Sequence, residues 1–176
     1  MSVILGVDPG SRKTGFGLIA SVAGRHRYIA SGVIRIPDVA FPERLKIIFD
    51  SLTEVIDLHR PVQVAIEEVF MARSAGSALK LGQARGAAMV ACAQRELAVA
   101  EYTARQIKQA VTGTGAATKE QVQHMVTTLL KLPATPQEDA ADALAAAICH
   151  AHTRQGLQGL VGQLPARARL RRGRIA

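Results

Sequence analysis

A single α/β domain is the fold class this sequence predicts, and three observations carry it. The chain is 176 residues long with 48% apolar content, which suits one ordinary domain with a substantial core. Strands come first and alternate with helices later. The apolar spacing switches from short strand-like runs to long helical periods.

Taken in order, residues 2–8 form an apolar run closed by Pro9 and Gly10, followed by T-G-F-G-L-I-A at 14–20 and Y-I-A-S-G-V-I-R-I at 28–36. Three successive strands joined by turns are expected there. From Pro42 to His59, Leu45, Ile48, Phe49, Leu52, Val55 and Ile56 keep helical spacing, which predicts a helix packed on the sheet and ended by Pro61. Residues 62–66 give another buried strand, 75–97 a long Ala/Gly-rich helix, and A-V-A-E-Y at 98–102 a short strand. The remainder reads as helix over 103–112, 119–131 and 136–153, with Val122, Met125, Val126, Leu129 and Leu130 in register in the second. Thr118 with Gln121 and Thr135 with Glu138 fit capping boxes, and Pro136 suits a first helical position. From Gly156 onward the chain is rich in Gly, Gln and Arg without periodicity. Residues 1–155 are therefore expected to form the domain and 156–176 a basic, flexible tail.

Net charge is +8, but Arg167, Arg169, Arg171, Arg172 and Arg174 lie in that tail with no acid; without them 17 basic residues face 14 acidic ones. The folded body is mildly basic, and nucleic acid is the obvious partner. Cys92 and Cys149 sit in alanine-rich stretches without paired spacing, which predicts reduced, buried thiols and excludes a zinc site. No stretch has the length of a membrane span, and no charged segment precedes a signal-length apolar run. A soluble, cytoplasmic protein without membrane contact is expected.

The chemistry lies in the acids. Asp8 and Glu67 each end an apolar run, at the edge of a core where an unpaired charge is costly. Asp139 and Asp142 share one helix face amid alanines. Hard oxygen donors of this kind suit magnesium or manganese, and two such ions can clamp the attacking and leaving oxygens of a phosphodiester. The sequence has no HExxH, G-x-S-x-G or Walker motif and its histidines are scattered, so hydrolysis by activated water is the reaction to consider. Each acid also has an ordinary reading. Asp8 before Pro-Gly serves a plain turn equally well. Alternation does not say whether Glu67 or Glu68 faces inward. Glu138 fits a helix cap, and Asp139 gains from the helix dipole. Lys119, in a first helical turn, opposes the dipole unless a phosphate sits there; Lys108 lies on the preceding helix, and the loop 113–115 could bring amides to a phosphate. Aromatics are too few for a base-stacking platform, although Phe70 could wedge into a base step. Gly82 and Gly86, with Ala75 and Ala78 upstream, give the long helix a smooth face open to its own sheet or to a symmetric dimer.

Four motifs carry a resemblance: G-V-D-P-G-S-R-x-T-G at 6–15, A-I-E-E-V-F at 65–70, S-A-L-K-L-G-Q-A-R-G at 77–86 and D-A-A-D-A-L-A at 139–145. From its first strand to about His152 the chain resembles the RuvC family of bacterial Holliday junction resolvases, the crossover junction endodeoxyribonucleases. The resemblance implies a ribonuclease-H-like α/β fold with a five-stranded mixed sheet flanked by helices, working as a homodimer. It implies that Asp8, Glu67, Asp139 and Asp142 are the catalytic metal ligands, which selects Glu67 over Glu68 and leaves Glu138 as a cap. It assigns DNA contacts to Lys108 and Lys119 and junction probing to Phe70. Mg2+ is implied as cofactor, two ions per site with Mn2+ as a substitute, and four-way junction DNA, RuvA and RuvB as partners. Paired symmetric nicks leaving a 5′-phosphate and a 3′-hydroxyl are the implied outcome, in recombination and repair. Glu68 stands where relatives carry a neutral residue. The first hairpin also resembles the phosphate-binding hairpin of actin-like kinases and ATPases, but their two lobes need roughly twice this length.

Overall fold

Five short, largely apolar runs become strands: β1 (Ser2–Asp8), β2 (Lys13–Val22), β3 (Arg25–Arg35), β4 (Gln63–Glu68) and β5 (Val99–Thr103). The structure, a computed structural model, describes residues 1–22, 24–68 and 74–163, with only the backbone of 158–163. The strands form one sheet in the order β3-β2-β1-β4-β5. The first three are antiparallel neighbours, while β1, β4 and β5 run parallel through helical crossovers. This is the five-stranded mixed sheet the resemblance implied.

Five helices cover it among the described residues: α1 (Phe41–His59), α2 (Ala75–Ala93), α3 (Ala104–Thr112), α4 (Lys119–Leu129) and α5 (Glu138–Gln163). On one face Leu5, Val7, Leu18, Val64 and Ile66 meet Ile48, Leu52 and Ile56 of α1 and Ala84, Ala88, Ala91 and Cys92 of α2. On the other, Ile4, Ile19, Ala65 and Tyr102 meet Ile107 and Val111 of α3, Val122 and Val126 of α4, and the alanine-rich side of α5. The result is a three-layer α/β/α sandwich.

The helix starts follow local chemistry. Thr118 and Gln121 form the expected capping box on α4, and Thr103 with Gln106 forms an unforeseen one on α3. The box expected between Thr135 and Glu138 does not form. α5 begins at Glu138, two residues after Pro136, so Glu138 sits in the first turn and its carboxylate pairs with Lys119 instead. The approach to the helix is held extended from outside: Gln123 donates to the Pro136 carbonyl at 3.3 Å and Arg35 to Gln137 Oε1 at 3.3 Å. Its other end also differs. The helix continues through Gly156 to Gln163, past the expected end at 153. The tail beyond 163 lies outside the described residues.

Cys92 and Cys149 are free and buried, and burial pushes their thiols up to about 12 and about 11. Among the described residues no helix is long and apolar enough to cross a membrane.

Candidate active site

Strand register brings the first two acids together. β1 and β4 pair in parallel up to Val7 opposite Ile66, so Asp8 and Glu67 are the next residues on adjacent strands at the open end of the ladder. Side chains alternate between faces. Val7 and Ile66 point into the α1/α2 core, Gly6 and Ala65 toward α5, and therefore Asp8 and Glu67 both face α5. The same alternation turns Glu68 to the opposite face, so register decides what the sequence left open. The turn after Asp8 is also real. Thr14 Oγ1 donates to the Gly10 carbonyl at 3.0 Å and accepts from the Gly10 N–H at 3.3 Å. A Cβ on Gly10 would lie 2.2 Å from the Lys13 carbonyl oxygen, so the turn requires glycine. Asp8 thus both leads into a turn and faces the site.

The other two acids arrive on α5, and glycines set their height. A Cβ on Gly15 would fall 1.9 Å from the Asp139 carbonyl oxygen, one on Gly6 1.9 Å from that of Ala143, and one on Gly17 2.6 Å from the Leu144 side chain. Only a sheet stripped of side chains there admits the helix so closely. Asp139 and Asp142, one turn apart at its N-terminal end, are consequently lowered toward Asp8 and Glu67.

Asp8 senses the other three acids. The Asp8 carboxyl is pushed up to about 8, first by burial and then by the charges of Glu67, Asp142 and Asp139, with Lys119 opposing. Glu67 is also raised, by burial and then Asp142, against Lys119 and Lys108. Asp142 is raised by burial first, with Lys119 pulling the other way. Crowded carboxylates at the edge of a core carry more negative charge than the protein neutralises, and their oxygens are the donors a hard divalent cation takes. As they stand, no three His, Cys, Asp or Glu side chains among the described residues are close enough together to hold an ion ready-made.

Two cations border the acids. Lys119, in the first turn of α4, pairs with Glu138 and stands 4.0 Å from Asp142; that pairing raises its ammonium above the ordinary lysine value. Lys108 of α3 is half-buried and near enough to favour the ionised forms of Glu67 and Asp142. The loop 113–115 is less available than its glycines suggest. Gly113 N–H is bonded to the Gln109 carbonyl oxygen and Thr114 N–H to Thr112 Oγ1, so those amides are engaged internally. Phe70 lies outside the described residues. Sequence reading missed Arg85, whose Nε donates to the Glu67 carbonyl oxygen at 3.4 Å; nothing in an alanine-rich helix marks an arginine that reaches under the sheet. It also passed over Gly6, Gly15 and Gly17, whose signal was glycine recurring on one face of adjacent strands.

Comparison with known proteins shows the family. The family model described as crossover junction endodeoxyribonuclease RuvC matches residues 4–150. The chain is 61% identical to the crossover junction endodeoxyribonuclease RuvC of Saccharophagus degradans, and 62% to that of Teredinibacter turnerae, with 99% of each chain covered in both cases. Among solved structures it is similar to Thermus thermophilus RuvC in complex with a Holliday junction substrate: TM-score 0.83, 38% identity, 89% of this chain and 97% of that one. A yeast mitochondrial Holliday junction resolvase shares the fold at TM-score 0.66 with 8% identity.

Proposed function

The chain belongs to the RuvC family of crossover junction endodeoxyribonucleases, and on that premise we propose how its acids and lysines cut a four-way junction. It is a structure-selective endonuclease that resolves Holliday junctions. Asp8, Glu67, Asp139 and Asp142 hold magnesium, two ions per site, with manganese as a substitute. The observation that carries this is the convergence of Asp8 and Glu67, on adjacent strands, with the N-terminal turn of α5 seated on Gly15, where the Asp8 carboxyl is pushed up to about 8 among three further acids. Four acids brought from three separate elements to one buried edge need a cation to ionise together.

Bound magnesium supplies Lewis-acid polarisation of the scissile phosphate and activation of water. The chain does the rest. Asp8 and Glu67, fixed by adjacent strands, define the floor of the site, and Asp139 and Asp142 close it from α5. Lys119 and Lys108 at its border receive the phosphates flanking the cut, where the N-terminus of α4 adds its dipole. In-line attack by water then breaks the bond to the 3′ oxygen, leaving a 5′-phosphate and a 3′-hydroxyl that a ligase can seal. Phe70, a few residues beyond Glu67, probes the junction.

Symmetry of the substrate calls for two copies. The outward side of α2 supports this: Leu79 and Val90 are 70% and 57% exposed, and a Cβ on Gly82 or Gly86 would meet nothing. Apolar and smooth, it suits a second copy across a two-fold axis, so that each site cuts one of two like strands. RuvA and RuvB are the partners that would deliver junctions. Residues 1–155 form the nuclease unit, and the arginines beyond it add affinity for phosphate.

The test is incubation with Mg2+ and a mobile four-way junction beside a linear duplex of the same sequence, with Asp8→Asn as control. Paired symmetric nicks on the junction alone, lost in the control, are expected. Tight junction binding without cuts would assign the acids a structural role only.

A further inference from the structure

Glu67 sits where β4 has lost one neighbour. Pairing with β1 stops at Val7 opposite Ile66, so Glu67 is held in the sheet only through β5, opposite Tyr102. A metal ligand is aimed no better than the backbone beneath it.

From the opposite face, Arg85 of α2 supplies a second hold. Its Nε donates to the Glu67 carbonyl oxygen at 3.4 Å, and its Nη2 pairs with the Glu101 carboxylate. Glu101 stands opposite Ile66 in the β4–β5 register, and so projects to the α2 side, away from the acids. The Arg85 side chain is only 20% exposed, and its planar fork engages both partners at once. Packing α2 on the sheet does not require it, because Ala84, Ala88, Ala91 and Cys92 already do that.

We infer that Arg85, itself anchored by Glu101, is a positioning residue that fixes the Glu67 backbone and so the aim of its carboxylate at metal. It works from behind the sheet and touches no reacting atom. The inference rests on the reading of Glu67 as a metal ligand.

Arg85→Lys keeps the charge and loses the fork; Glu101→Gln loosens Arg85 without altering it. For each, three quantities are measured: junction binding without divalent metal, the rise in Tm on adding MgCl2 or MnCl2 alone, and cleavage against Mg2+ concentration. Both variants should bind the junction as the unaltered protein does. Both should need about 10-fold more Mg2+ for half-maximal cleavage and for the Tm rise, the usual effect of loosening an outer-shell partner. A lower Tm with the metal dependence of both readouts unchanged would make Arg85 a mere fastener and overturn the inference. Glu67→Gln separates the premise. If it keeps the full metal-dependent Tm rise, Glu67 is no ligand. If it abolishes the rise while Arg85→Lys and Glu101→Gln leave it intact, Glu67 remains a ligand and the inference about Arg85 fails.

Discussion

On the face covered by α1 and α2, branched side chains from the sheet interlock with Ile48, Leu52 and Ile56, whereas under α5 glycines and alanines let the helix backbone rest on the strands. On the first face, a shape error is shared among many side chains that can shift. On the second, a Cβ on Gly6 or Gly15 would meet helix backbone rather than a side chain, so an added atom there moves a helix and the acids it carries. Both faces bury a core, and the second also sets positions.

The comparison can be broken by separating activity from stability. The largest effect is expected from Asp8→Asn or Glu67→Gln, which should lower cleavage by at least about 10³-fold while junction binding survives. Persistent nicking would remove the acids from the mechanism. Next is Gly15→Ala, whose Cβ would collide with the Asp139 carbonyl oxygen. Displacing α5 by roughly an ångström should cost about 10²-fold in rate. Its counterpart is Leu52→Ala on the other face, fully buried against the sheet. That change should destabilise by about 2–5 kcal/mol and leave cleavage per folded molecule unchanged. Equal behaviour of these two variants, in rate and in denaturant midpoint, would erase the distinction between the faces.

A pH series sharpens it. Burial and the neighbouring acids push the Asp8 carboxyl up to about 8 in the folded chain from an ordinary value of 3.8, so the folded state binds that proton more tightly. The stability this provides is fully present below the unfolded value and is lost as pH rises through about 8. Glu67 and Asp142, also raised, act in the same direction. With chelator present, Tm should therefore fall between about pH 4 and 8, and Asp8→Asn, neutral throughout, should flatten that fall and melt on the order of 5 °C higher at pH 8. A chelated protein whose Tm is flat over this range would show that the acids do not strain the fold. The smallest effect belongs to the rim. Glu138→Gln should free Lys119 and strengthen junction binding by a factor of about 5 at most, as exposed ion pairs are weak. Salt titration of binding checks it, since Lys119→Met should reduce the logarithmic salt slope by about 1 and abolish the effect of Glu138→Gln.

Much of this was legible in the sequence because continuous apolar runs mark strands covered on both faces, as in β1 and β2, and helical spacing is strong where one face is buried, as in α1. Glu67 and Glu68 were not separable, since alternation gives two faces without saying which is which. The pairing of Val7 with Ile66 supplies that, and it is a long-range fact. Thr135 and Glu138 misled because a capping box is a four-residue pattern, while the start of α5 is set by Lys119, Gln123 and Arg35 from elsewhere in the chain. The end of α5 was placed too early because Gly156 breaks the period, yet a helix already anchored over the sheet continues at only a modest propensity cost. Arg85 left no trace, as its partners lie on two strands that sequence cannot place beside it.

The acids at positions 8, 67, 139 and 142 come from β1, β4 and α5, the last helix among the described residues. During synthesis the ribosome delivers all five strands before either aspartate of α5 has emerged, and until it does the glycine-lined face of β1 and β2 has no cover. No chain that stops before Asp142 can assemble the proposed metal site. Competence to cut DNA therefore waits for α5, and translation products aborted before that helix carry no nuclease.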